Sequence, residues 1–192
     1  QLLAGNADEE RLFELMTMAA PPCGGHSHTM WTINGLGWDD ITEFPVLGST
    51  EIWTWHNQSG ISHPMHMHLV AFQILDRQAI NEASGQPEGP ILLPGIHEKG
   101  WKDTANSPPG YRTRVIARFD GFTGLYPYHC HILEHEDHEM MRQFEVRPCL
   151  EVTNTDIAGP GSLGYAIDCA NEGDTIYFAS QLAGDTIILD DT

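Results

Sequence analysis

The chain has 192 residues, enough for one sizeable domain with its own hydrophobic core and a small additional segment. Its 27 acidic residues against 9 basic ones give a formal net charge of −18, which argues against nucleic acids and anionic membrane surfaces as partners. No stretch is long and apolar enough to predict a membrane span.

The first ten residues, 1–10, are polar and predict a linker. Arg11–Met18 then has the composition of a β-strand. We interpret Met16 and Met18 in it as packing residues rather than metal ligands, because methionine commonly fills gaps in cores. The chain begins with Gln1 and carries no signal-peptide pattern, so we expect a processed or excised piece of a longer protein.

Four histidines lie outside the dense clusters described below. His26 and His28 follow a loop that contains Pro and Gly, and we interpret them as a loop feature rather than a metal site. His56 lies in a predicted strand and is not expected to be a ligand. His97 lies in a long segment rich in Gly and Pro, 77–100, which predicts irregular structure; we assign this histidine no role.

The first dense cluster of histidines is His63–His68, with the sequence HPMHMH. His66 and His68 are two residues apart, so they share one face if the segment is a strand. His63 precedes them across a proline, which restricts the backbone. Leu69–Asp76 follows, with the composition of a buried strand.

Short predicted strands separated by Gly and Pro turns continue to the end of the domain. In Tyr111–Phe119, apolar or small side chains alternate with arginines, as in a half-buried strand. Trp101–Thr104 and Met141–Val146 are also predicted strands. This pattern predicts an all-β protein with a Greek-key β-sandwich over residues 11–148.

The second dense cluster is centred on Cys130, which sits between His129 and His131 at the end of an apolar strand. Alternate side chains of a strand point to opposite faces, so Cys130 points one way and both histidines point the other. One short segment can therefore serve two metal sites, with the cysteine backbone as the covalent connection between them.

A thiolate, two imidazoles and a thioether are the ligand set of a blue copper site. Cys130, His135 and Met140 supply three of these ligands, and His63 supplies the second imidazole. Zinc competes for Cys and His ligands. Zinc does not explain, however, why the cysteine is bracketed by histidines that face away from it.

Four other histidines of the two clusters form a second predicted group of imidazoles. They are His66, His68, His129 and His131.

Together the two clusters resemble the copper signatures of the C-terminal domain of multicopper oxidases. The amino-acid sequence of residues 131–137 and of Glu98–Thr104 is most similar to that of the branch of bacterial spore-coat laccases and bilirubin oxidases. The resemblance covers about Arg11 to Arg147 and implies a cupredoxin-like Greek-key β-sandwich.

The resemblance also implies a function and a set of roles. Single electrons from a reducing substrate would enter at a type 1 copper and pass through Cys130 to a trinuclear copper cluster that reduces dioxygen to water. Glu136 is implied as a proton relay, although its acidic neighbours leave a solvated turn as the alternative. The implied ligands are His63, Cys130, His135 and Met140 for type 1 copper, His66 for type 2 copper, and His68, His129 and His131 for the type 3 coppers.

The chain departs from the family pattern in one respect. A complete cluster in that family uses eight histidines, and this chain supplies four. The others would come from missing N-terminal cupredoxin domains in cis, from a partner chain, or from self-association. We therefore expect little or no turnover by the isolated chain.

Two functions remain open at this point. The first is a laccase-like oxidase, with a phenol, an aromatic amine, a bilirubin-like pigment or a metal ion as the reducing substrate. The alternative is an electron-transfer cupredoxin without oxygen chemistry, which would have no use for the four additional histidines.

From residue 149 onwards the composition changes, and 149–192 predicts a β-rich tail, cut at the start of a further segment. Cys149 and Cys169 are candidates for a disulfide, with Cys23 left over; the sequence does not decide this pairing. A disulfide suits a secreted, periplasmic or cell-surface protein.

Overall fold

Two β-sheets face each other in the computed structural model, which describes residues 2–19 and 29–188. The strands of these sheets are β1 (Glu9–Ala19), β2 (Thr29–Ile33), β3 (Thr50–Asn57), β4 (His63–Met67), β5 (Phe72–Ile80), β6 (Pro87–Leu92), β7 (Thr104–Ser107), β8 (Tyr111–Arg118), β9 (Gly124–Cys130) and β10 (Met141–Val146). One sheet has the order β2-β1-β3-β8-β5-β6, and the other has the order β10-β9-β4-β7. The predicted all-β sandwich is confirmed.

Large aromatic side chains join the two sheets. Trp53 of β3 is fully buried, with ring centroids 5.2 Å from Tyr128 of β9 and 5.5 Å from Phe144 of β10. Phe13 of β1 packs on the same tryptophan, 4.5 Å away. Burial of such rings is a dominant favourable contribution to folding, so this cluster anchors the sheet that carries β9.

The alternation predicted for β8 is confirmed. Thr113, Val115 and Ala117 are fully buried, whereas Arg114 points to the opposite face and pairs with Asp76. The inward residues therefore form part of the core between the sheets.

A buried polar network fixes β9 and β10 against the loop before β3. Arg142 is fully buried and donates to Glu43 Oε1 (3.2 Å), to the Tyr128 hydroxyl (2.8 Å) and to the Asp40 carbonyl. The Tyr128 hydroxyl donates to Glu43 Oε2 (2.9 Å). Each buried charge is thereby paired, as burial in a low-dielectric interior requires.

Three local predictions differ from the structure. Residues 1–10 are predicted as a linker, but β1 begins at Glu9, and Asp8 accepts a 2.8 Å hydrogen bond from the Thr50 amide, which ties this segment to the sandwich. The segment 77–100 contains the end of β5 and the exposed strand β6, which pairs with it, whereas residues 81–86 and 93–100 are turns and irregular structure as predicted. The strand predicted at Trp101–Thr104 lies later, as β7.

The helices are short. They are α1 (Leu133–Glu136) and α2 (Leu163–Cys169), with 3₁₀ turns at Ala4–Asn6 and Ser180–Leu182. Neither α-helix in the described chain has the length and apolar composition that crossing a membrane requires.

The tail differs from the β-rich segment expected for 149–192. Its strands β11 (Glu151–Val152) and β12 (Tyr177–Phe178) have two residues each, and α2 lies between them. Ser162 caps α2 by accepting a hydrogen bond from the Tyr165 amide, a local signal that favours helix over strand.

Two cysteines of the tail lie together. Cys149 and Cys169 are free thiols in the structure, and burial together with a hydrogen bond to Cys149 raises the pKa of Cys169 to about 12. Cys23, His26 and His28 lie outside the described residues.

We predict that oxidation joins Cys149 to Cys169, because the two thiols are close enough to interact. A bond closing a loop of this size stabilises a protein by about 3 kcal/mol through the unfolded state. The measurement is the thermal midpoint with and without reductant. Cys169→Ser should abolish the difference, Cys23→Ser should preserve it, and an unchanged difference in Cys169→Ser would contradict the pairing.

Candidate metal centre

The candidate centre lies where β4 and β9 run side by side. The two strands are antiparallel, with Met65 opposite Cys130 and His66 opposite His129. Because side chains alternate along each strand, this register separates the ligating residues into an inner group, between the sheets, and an outer group on the other face.

The inner group consists of His63, Cys130 and His135. The Cys130 sulfur lies 3.6 Å from His63 Nδ1 and 3.5 Å from His135 Nδ1, and the two nitrogens are 3.2 Å apart. His63 and Cys130 are fully buried and His135 is 6% exposed. Three soft or borderline ligand atoms converging in a buried position form a site that fits a metal ion.

The backbone of Met140 is hydrogen-bonded to two residues of the inner group. Its amide donates to the His135 carbonyl (3.0 Å), and its carbonyl accepts from the Cys130 amide (3.0 Å). The side chain is fully buried in the hydrophobic core that also contains Cys130. The chain therefore returns to the cysteine after α1.

The outer group is formed by the other histidines. Ligand atoms of His66, His68 and His129 lie within 4.8 Å of one another. The His131 ring lies 5.5 Å from that of His66 and 5.4 Å from that of His129. His129 is buried, whereas His68 and His131 are exposed, so the group is open on the side away from the sandwich.

Hydrogen bonds fix three of these imidazoles through the nitrogen that faces away from the candidate metal position. Ser59 Oγ lies 2.7 Å from His63 Nε2. His66 Nδ1 lies 2.8 Å from the Asp103 carbonyl and 3.1 Å from Thr104 Oγ1. Such contacts set the tautomer and orientation of a metal-binding histidine.

His129 is held in the same way. Its Nδ1 lies 3.0 Å from the Cys130 carbonyl and 3.4 Å from Glu136 Oε2. Nδ1 therefore carries the proton that it donates, and Nε2 is left with its lone pair towards the outer group.

Two contacts of the centre were missed by sequence reasoning. Ser59 lies in a short turn before the first cluster, where a hydroxyl gives no signal of its partner. Trp31 of β2 stacks on His135, with ring centroids 4.2 Å apart and an interplanar angle of 21°. No local pattern indicates that a residue more than a hundred positions away contacts this imidazole. His56 and His97 belong to neither group within the described residues.

Burial changes the protonation of the inner group. Burial, with the nearby His135, lowers the pKa of His63 to about 4. Burial also lowers the pKa of His135 and raises the pKa of the Cys130 thiol to about 11. The metal-free site is thus neutral at pH 7, and a metal that binds the thiolate must displace its proton.

The sequence profile of the family described as multicopper oxidase matches residues 17–149, which contain every residue of both groups. The chain belongs to the multicopper oxidase family. This family uses copper, and the His63, Cys130 and His135 group is compatible with a type 1 copper site.

Curated relatives agree with this membership. A laccase from Bacillus subtilis is 43% identical over 121 residues, which cover 59% of this chain and 24% of the relative. A bilirubin oxidase from Albifimbria verrucaria is 36% identical over 126 residues, which cover 62% of this chain and 20% of the relative. The chain thus spans about a quarter or less of these proteins.

Solved structures agree on the fold. A multicopper oxidase from Aquifex aeolicus superposes with a TM-score of 0.57 at 26% identity, covering 77% of this chain and 31% of that one. A multicopper oxidase from Campylobacter jejuni, described as a metallo-oxidase, gives 0.58 at 27%, covering 73% and 30%. The predicted cupredoxin-like fold is confirmed.

We predict that the stability of the metal-free protein falls as the pH falls from about 6.5 to about 4. His63 must stay neutral in the folded state but accepts a proton in the unfolded chain near its ordinary pKa, so protons favour unfolding across this window. The contribution reaches about 3 kcal/mol at the acid end. Urea unfolding at a series of pH values measures it.

The control compares His63→Gln with His97→Gln, whose side chain is exposed. The first variant should reduce the pH dependence between 6.5 and 4, although His135 retains its lowered pKa, and the second should leave it unchanged. Equal slopes for wild type and His63→Gln would contradict the prediction.

Proposed function

We propose that the chain is the C-terminal copper domain of a laccase-like multicopper oxidase, with a complete type 1 site and half of an oxygen-reducing cluster. The observation that carries the proposal is the pair of ligand groups joined through one residue. Cys130 belongs to the inner group, and the adjacent His129 belongs to the outer group, so a single peptide unit connects them.

The proposed type 1 ligands are His63, Cys130, His135 and Met140. Copper in this site would supply reversible one-electron transfer, and copper in the outer group would supply the reduction of dioxygen to water. Burial of the inner ligands and the hydrogen bond between Ser59 and His63 favour a rigid site, which suits electron transfer with little rearrangement.

The proposed ligands of the outer group are His66 for type 2 copper and His68, His129 and His131 for the type 3 coppers. Hydrogen bonds at Nδ1 of His66 and His129 leave Nε2 of both rings available for a metal. The outer group is exposed on one side, which supports the proposal that further histidines come from N-terminal domains in cis or from a partner chain.

Substrates and location are also proposed from the relatives. Laccase, bilirubin oxidase and metallo-oxidase relatives favour a small reducing substrate, namely a phenol, an aromatic amine, a bilirubin-like pigment or a metal ion, with dioxygen as acceptor. We propose a secreted, periplasmic or cell-surface location.

We predict that the purified chain, loaded with Cu(II), binds one copper tightly and shows the narrow hyperfine splitting of a blue copper site in its EPR spectrum. Copper content and EPR are measured together. Cys130→Ser should lose the blue signal, because the thiolate is its source. Cys149→Ser is the matched control and should keep the signal.

The same preparation should consume little or no dioxygen, because the outer group supplies only half of a cluster. The alternative, an electron-transfer cupredoxin, would be favoured instead by a different result. In that case the chain binds one copper, and no dioxygen is consumed even when domains that carry the missing histidines are added. Three or four coppers per chain would indicate that further histidines come from a second subunit. Rapid dioxygen consumption by the monomer would contradict the proposal.

Glu136 is proposed as the proton relay to the outer group. Its Oε2 lies 3.4 Å from His129 Nδ1, and its side chain is 28% exposed, so it contacts both the cluster region and solvent. This combination fits a group that passes protons from water inward.

We predict that Glu136→Gln lowers kcat for dioxygen reduction by about a hundredfold or more in the assembly that contains all cluster ligands, since a positioned proton donor contributes on that order. The pH dependence of kcat and dioxygen uptake are the readouts. Glu134→Gln, an exposed neighbour, is the control. Equal rates for both variants would exclude the relay role.

A further inference from the structure

Trp31 lies on the edge strand β2, which pairs with β1 alone in its sheet. Its side chain is half-buried and packs against the hydrophobic core. The backbone register places it opposite Thr17. The indole thus sits on a rigid element, at the boundary between the inner ligand group and the surface.

The indole contacts both nitrogen ligands of the inner group. It stacks nearly parallel on the imidazole of His135, 4.2 Å between centroids and 21° between planes. It also presents an edge to His63, at 5.2 Å and 64°. Offset stacked and edge-to-face arrangements are the preferred geometries of aromatic pairs.

His135 lacks the outer hydrogen bond that fixes His63, the other imidazole of the inner group. It sits on α1, a four-residue helix whose N-cap residue Ile132 makes no side-chain capping hydrogen bond. Among the described residues, its ring hydrogen-bonds only through Nδ1, towards Cys130 and His63. The rings of His63, His66 and His129 each have a hydrogen-bond partner on the nitrogen that faces away from the candidate metal position.

We propose that Trp31 is the positioning residue of His135: the stacked indole replaces the missing hydrogen bond and holds the imidazole at the angle that directs Nδ1 towards the metal. This inference rests on the proposed function, because it takes the metal of the inner group to be copper. A contact of this kind fixes the orientation of a ligand and thereby raises metal affinity.

The test is titration of the metal-free chain with Cu(II) alone against a competing chelator, followed by the visible absorption of the copper–thiolate bond and by EPR. Trp31→Leu and Trp31→Met remove the ring. Either should raise the Kd by about tenfold or more, the usual effect of removing an outer contact of a ligand, and should change the EPR hyperfine splitting. Trp31→Phe keeps a stacked ring and should restore most of the affinity.

Trp101→Leu is the control, because Trp101 is exposed and makes no aromatic contact with either histidine group among the described residues. Circular dichroism identifies which variants fold. A folded Leu or Met variant with the Kd and EPR spectrum of wild type would overturn the role of Trp31 while leaving the proposed function intact. A Phe variant with a Kd as high as that of the Leu and Met variants would overturn this role too.

A wild-type chain that shows no copper–thiolate band would overturn the proposed function, and with it this inference.

Discussion

The alternation of side chains along β9, fixed by its pairing with β4, is the constraint on which the rest of the centre depends. Cys130 lies opposite Met65 and points between the sheets, whereas His129 lies opposite His66 and points away from them. A shift of one residue in this register would exchange the two faces and dismantle both ligand groups at once. The metal chemistry of the chain therefore depends on the accuracy of one strand pair.

The surroundings of β9 explain how that register is held. Tyr128, two residues before the cysteine, is locked by the buried Arg142 and Glu43 and by contact with Trp53. Burial, with the adjacent carboxylate, raises the pKa of Tyr128 well above its usual range, so the hydroxyl keeps its proton and donates. Removing one member of a buried charged pair typically costs about 3–5 kcal/mol. The network thus holds β9 in place beside the candidate metal ligands, although its own residues are not candidate ligands.

Much of the centre could be predicted from the sequence because its signals are local. HPMHMH and the segment from His129 to Met140 carry strand periodicity and ligand chemistry within a few residues of each other. The sandwich followed from repeated short strands with alternating patterns, of which β8 is the plainest case.

The parts that the sequence did not indicate depend on distant contacts or on weak local signals. Trp31 reaches His135 only because β2 folds to the edge of the sheet. Exposed β6 contains two prolines and a glycine, which are depleted in strands, so only pairing with β5 reveals it as a strand. The helix α2 was missed because its signal is a single capping serine in a segment whose neighbours favour strands.

The most direct test of the central claim is anomalous diffraction at the copper absorption edge from crystals grown with Cu(II). The account predicts a strong peak among the Cys130 sulfur, His63 Nδ1 and His135 Nδ1, with any further peak beside His66, His68 and His129 on the opposite face of β9. Copper density only at other positions, or at Cys130 without both histidines, would contradict it.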